Sequence, residues 1–164
     1  MQALIEWIVA TDLSRFVLYN GWVWPISEAL HFMGLVLLVG TVSTFDLRVL
    51  GVGKGIAPSA IHRLVPFGLA GFGISICTGV LFIAGTPDQY FYNSAFHLKV
   101  VFLLAMGINV AFFYSAPFRV VKSLGPGDDA PRITKLSAAL SLLIMVGVMC
   151  CGRMLTFFRP PMIS

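Results

Sequence analysis

Charge is scarce in this 164-residue chain: Lys and Arg number 11, Asp and Glu 7, and together they make 11% of the residues. A soluble domain carries about 25%. Hydrophobic residues make 58%, and mean hydropathy is +0.91. Polar surface of this extent cannot coat a water-soluble globule, which excludes a soluble enzyme and a disordered tail. The formal net charge is +4. The cations are nonetheless scattered between apolar runs and form no basic stripe, so no nucleic-acid partner is expected. Three cysteines, Cys77, Cys150 and Cys151, are too few for a secreted disulfide framework, and all three sit in apolar runs. No run alternates with period two, which excludes a membrane barrel. No catalytic triad, phosphate-cradling glycine loop or zinc motif is present, so an independent catalytic activity is not expected.

What is present is four long apolar runs, over 22–45, 64–84, 95–115 and 136–158. Each has about 20 residues or more, the length needed to cross a hydrocarbon core of ~30 Å as a helix. The breaks agree: Gly51, Gly53, Gly55 and Pro58; then Gly85, Pro87 and Asp88; then Pro117, Gly125 to Asp129, and Pro131. Short connections make neighbouring spans antiparallel. The expected fold is all-α: one integral membrane domain over 1–164, an up-down four-helix bundle with spans at about 22–47, 63–85, 94–116 and 134–158. Residues 1–20 carry Glu6, Asp12 and Arg15 among apolar residues. They are expected to form an amphipathic helix lying at the membrane interface, and they lack the basic start of a secretory signal.

Arg48, Lys54, Arg63, Arg119, Lys122, Arg132 and Lys135 gather on one side of such a bundle. That side is expected to be cytoplasmic, which puts both termini on the periplasmic side of a bacterial inner membrane. Tyr19, Trp22, Trp24, Tyr90 and Tyr92 fall at the opposite level, as an aromatic belt does.

Ionisable residues inside spans are costly and point to function. Here they are Glu28, His31, Asp46, His97, Lys99 and Arg153. His31 in the first span and His97 in the third lie toward the same membrane side, and those two spans run parallel across the core. Facing imidazoles there are suited to holding one metal macrocycle, a haem b. A small-residue stripe of Gly68, Gly71, Ser75 and Gly79, with Gly34 one turn below His31, leaves room for a flat ring, or serves close helix packing. Arg153 and Lys99 are suited to pairing with propionates, or to snorkelling toward headgroups. Each histidine has a plainer reading as a hydrogen-bonded core residue, with Glu28 the neighbour of His31. His62, beside Arg63, reads as an interfacial residue. Cys77, Met149, Cys150, Cys151 and Met154 offer soft ligands for copper, or simply fill space. Asp46, Arg48 and Arg63 are expected to form a structural ion-pair cluster.

The strings Trp24-Pro25-x-x-Glu28-x-x-His31-x-x-Gly34, Asp46-Leu47-Arg48-x-Leu50-Gly51, Arg63-x-x-Pro66-x-Gly68 and Phe96-x-x-Lys99 resemble a family of small bacterial four-span membrane proteins of unknown function. The resemblance covers about residues 22–115. More distantly, the start of the third span is similar to the membrane domain of the copper-resistance protein D family and to four-helix membrane cytochromes b. The expectation is a haem b protein that carries electrons between a periplasmic redox partner and the quinone pool. Its site would be His31, His97, Arg153, Gly34, Gly68, Gly71 and Ser75, with the two histidines as metal ligands. The alternatives are a cofactor-free accessory or anchor subunit of a larger membrane complex, and a copper-handling protein.

Overall fold

A computed structural model describes residues 1–115 and 117–158. Its helices are α1 (Gln2–Val9), α2 (Asp12–Tyr19), α3 (Val23–Leu50), α4 (Pro58–His62), α5 (Val65–Gly85), α6 (Pro87–Phe91), α7 (Ser94–Ser115), α8 (Pro117–Ser123) and α9 (Arg132–Met154). Four of these, α3, α5, α7 and α9, are long and apolar enough to cross a membrane. The longest, α3, has 28 residues, or about 42 Å at 1.5 Å per residue. No strand occurs among the described residues.

Local chemistry sets the ends. α3 stops at Gly51, whose φ of +110° is open to glycine at little cost, and the Val52 N–H closes the helix on the Leu47 carbonyl at 2.9 Å. Pro58, Pro87 and Pro117 each open a short helix, because a proline in the first turn loses no helical hydrogen bond. These prolines read from sequence as loop punctuation, so α4, α6 and α8 were not expected. The N-terminal segment likewise differs from the single amphipathic helix expected over 1–20. It breaks after Ala10, and the Thr11 hydroxyl caps α2 by accepting the Ser14 N–H at 3.2 Å.

The spans form two tight pairs, α3 with α5 and α7 with α9, joined through α3 and α9. α5 and α7 do not pack along their lengths, so the bundle is closed on three sides. α2 leans on α5, with Val17 buried at 5% exposure near Gly85. The end bearing α4 and α8 carries most of the basic residues and is termed the cationic end; the end bearing α2 and α6 is the aromatic end.

The cationic end holds a hydrophobic cluster of Phe45, Val49, Ile61, Phe113, Val121 and Ala138. Arg48, 1% exposed, is clamped beside it. Its Nε donates to the Ile56 carbonyl. Its Nη2 reaches the carbonyls of Lys54 at 3.3 Å and of Gly125 and Asp128 at 3.4 Å. The Gly127 N–H adds a bond to the Lys54 carbonyl at 2.8 Å. Asp129 pairs with Lys54 at 3.1 Å and Lys135 at 2.7 Å. The expected cluster of Asp46, Arg48 and Arg63 is corrected here: none of the three forms an ion pair among the described residues. Residues two apart on a helix point about 200° away from one another, so Arg48 serves loop carbonyls while Asp46 faces inward.

Candidate functional site

His31 leaves α3 toward α5. Its Nδ1 lies 2.8 Å from the Thr78 hydroxyl. That hydroxyl has one proton, and the Ile74 carbonyl accepts it at 2.8 Å. When the Thr78 hydroxyl donates to that carbonyl it accepts from His31 Nδ1, and the ring's lone pair falls on Nε2. Anchoring one ring nitrogen by hydrogen bond is how a protein readies the other for a ligand. Phe82 meets the imidazole edge-on, with centroids 5.5 Å apart. Lys99 of α7 lies within electrostatic range. Glu28, one turn away, is exposed and is not the partner of His31.

His97 is exposed. The face of α7 turned to α9 is marked by Ala95, Phe102, Asn109 and Phe113: Phe102 covers Gly147, Asn109 bonds Ser137, and Lys99 reaches Gly152. His97 is two residues from Lys99, or about 200° round the helix. Its ring sits beside that of Phe96, at 6.5 Å. α3 and α7 meet at the cationic end, where Phe45 and Phe113 pack edge-on at 5.7 Å, and do not pack along their lengths. The expectation that His31 and His97 face one another across the core is therefore corrected.

The room expected for a ring is occupied by backbone. A Cβ on Gly71 would stand 2.5 Å from the Gly34 carbonyl oxygen and 2.9 Å from the Leu38 nitrogen. One on Gly34 would meet the Gly71 oxygen and Ser75 Oγ, each at 2.7 Å, and one on Gly68 would overlap the Thr41 hydroxyl. Gly34, Gly68, Gly71 and Ser75 thus let α3 and α5 touch, the packing use of such residues. They do not open a cleft. Arg153 is exposed and sits over the Phe157 ring at 5.7 Å, away from His31.

The soft ligands do not converge. Cys77 is exposed on α5, Cys150 is exposed on α9, and α5 and α9 do not pack along their lengths. Cys151 is buried and turned toward Lys99. A cavity of about 200 Å³ between α7 and α9, lined by Ala95, Leu98, Cys151 and Met154 among others, is apolar and touches neither histidine. Among the described residues no group of three or more His, Cys, Asp or Glu is placed to hold a metal ion. At the cationic end His62 Nε2 lies 2.9 Å from the Tyr114 hydroxyl, and the imidazole stacks on Phe118 at 4.5 Å.

Thr78 and Tyr114 escaped the sequence reading, and so did the inward placement of Asp46. His31 and Thr78 are 47 residues apart, and neither residue type announces the other.

A haem shared by His31 and His97 within one chain does not fit this arrangement. Of these two histidines, His31 is the one anchored by a side chain of a neighbouring helix. No curated protein and no solved structure matches the chain. A family model described as a family of unknown function (DUF6644) matches residues 4–158, which is nearly all of a four-span membrane protein, and the chain belongs to that family.

Proposed function

We propose that this chain is a non-catalytic subunit of a larger membrane redox assembly, and that His31 is its ligand-binding group. One observation carries the reading: the Thr78 hydroxyl anchors His31 Nδ1 at 2.8 Å, with Lys99 within electrostatic range, in a part of the span where an imidazole is costly. The ligand class it suits is an iron-bearing macrocycle such as haem b, which His31 would hold together with a group from another polypeptide. Bound haem supplies one-electron transfer. The contribution of this chain is to hold the imidazole by its Nδ1 and to present Lys99 as a counter-charge for an acidic substituent. The seven cations of the connections and of the helix ends beside them support an orientation with the cationic end in the cytoplasm and both termini outside, in a bacterial inner membrane.

A second reading, the cofactor-free accessory subunit, is favoured by the close α3–α5 contact at Gly34 and Gly71, which leaves no cleft beside His31 on that side. A reduced-minus-oxidised visible spectrum separates the two. The protein is purified from haem-replete membranes together with any partner that stays bound. The expected result is a b-type spectrum that is lost in His31→Ala and kept in His97→Ala. A colourless, folded wild type ends the haem reading and leaves the accessory subunit. Loss of colour in both variants would restore His97 as a ligand and overturn the one-histidine site.

A further inference from the structure

Where the two helix pairs join, the structure buries an acid without a counter-charge. Asp46 is 6% exposed, and its Oδ2 has no hydrogen-bond partner among the described residues. The Ser141 hydroxyl of α9 acts on the carboxyl and also approaches Met106 Sδ at 3.7 Å. A single hydroxyl is too little to hold a bare carboxylate out of water.

The surrounding groups point the same way. α5 carries no Asp, Glu, His, Lys or Arg. On α9, Lys135 is held by Asp129, and Arg132 and Arg153 stand in the first and last turns. On α3 itself, Arg48 is engaged by loop carbonyls. From α7, Tyr114 lies within electrostatic range of Asp46. From α4, His62 bonds the Tyr114 hydroxyl at 2.9 Å, and Lys122 of α8 acts on His62 from outside. A bare carboxylate taken out of water without a cation is costly, and the neutral acid avoids that cost. A hard metal cation would need several oxygen ligands. Here Ser141 bonds the thioether of Met106, and Ser43, three residues before Asp46 on α3, bonds that of Met145.

We propose that Asp46 is a proton-binding site: its carboxyl holds a proton at neutral pH. On loading, an O–H bond forms at Asp46 as one breaks in hydronium, and release reverses the exchange. No electron moves, so the site stands or falls separately from the His31 reading.

Infrared difference spectroscopy of the full chain in lipid nanodiscs tests it. The wild type is expected to show a protonated-carboxyl C=O band at neutral pH. Asp46→Asn, which mimics the shape of the neutral acid, is expected to fold and to lose that band. Asp46→Glu is expected to restore a band at a shifted frequency, which guards against a loss caused by misfolding. A wild-type spectrum without any band that Asp46→Asn removes overturns the site.

Discussion

In the α3–α5 pair the two backbones touch, whereas in the α7–α9 pair side chains stand between them. Gly34, Gly68 and Gly71 bring α3 and α5 so close that an added Cβ meets main-chain atoms or the Thr41 side chain. α7 and α9 are separated by Phe102 lying over Gly147, by Asn109 bonded to Ser137, and by Ser141 reaching Met106. The two solutions answer one physical problem. Lipid is as apolar as leucine, so the hydrophobic effect does not hold helices together inside a membrane. Close van der Waals contact and interhelical hydrogen bonds remain. The first pair relies chiefly on contact, with His31 bonded to Thr78 across it at 2.8 Å, and the second relies on both, so the two should fail differently.

The largest effect is expected from Gly71→Leu. The new side chain has backbone on two sides, and backbone yields only if the helices part. Overpacking typically costs about 1–3 kcal/mol and occasionally more, and the upper end, about 3 kcal/mol, is expected here. Gly107 on α7 has open space where a Cβ would go, so Gly107→Leu should stay within about 0.5 kcal/mol of wild type. Reversible unfolding in mixed micelles measures both. Equal losses in the two variants would show that the contact at Gly71 does not hold the first pair.

Arg48→Met comes next, and it acts between the pairs. Arg48 sits on α3, yet two of its acceptors, Gly125 and Asp128, belong to the connection leading into α9. Removing it leaves those carbonyls and that of Ile56 without this donor, while the Lys54 carbonyl keeps the Gly127 N–H. Hydrogen bonds to a charged group contribute about 1.5–3 kcal/mol, and a loss of about 2 kcal/mol is expected. Faster proteolysis near Gly125, with the α3–α5 pair still protected, would mark the loss as one between pairs. Protection unchanged at Gly125 would sink the clamp.

Within the second pair, Asn109→Leu removes a two-way bond: Asn109 Nδ2 to the Ser137 carbonyl at 3.1 Å, and Ser137 Oγ to Asn109 Oδ1 at 2.9 Å. Interhelical hydrogen bonds in membranes average about 0.6 kcal/mol and reach about 1.7. A loss of about 1 kcal/mol is expected. Ser137→Ala added to Asn109→Leu should cost little more, because the two substitutions remove one interaction. Strict additivity would mean that the residues act apart.

The same contrast explains what could be read from the sequence. The spans were legible because runs of 20 apolar residues broken by Gly and Pro have few other uses. Their rotational phase was not. A lipid-facing side is as apolar as a core-facing side, so α7 carries no pattern telling that Lys99 faces α9 while His97 faces away. The small-residue stripe was legible as a stripe, but a glycine that admits a ring and a glycine that admits a helix look alike until the neighbour is in place. Asp46 was assigned to Arg48 because they are two residues apart, a spacing that on a helix separates them. Pro58, Pro87 and Pro117 were read as breaks, although a proline in the first turn also starts a helix.

The smallest effect is expected where charge alone joins the segments. Asp129 bridges Lys54, which follows α3, and Lys135, which belongs to α9. The Lys135 hydrogen bond, then that from Lys54, holds the Asp129 carboxyl below its ordinary value of 3.8. A carboxyl whose folded value is depressed binds its proton more readily when unfolded, so it stabilises the fold above that ordinary value. The contribution fades as pH falls through the depressed folded value. Asp129 is exposed, and exposed ion pairs are screened and contribute little. Unfolding followed from pH 6 to pH 3 should therefore show a shallow loss of stability in the wild type, smaller still in high salt. Asp129→Asn should flatten that slope without changing the response to Gly71→Leu, since the two sites lie at different contacts. A slope equally steep in Asp129→Asn would assign the acid sensitivity to another carboxyl and remove Asp129 from the links between the two pairs.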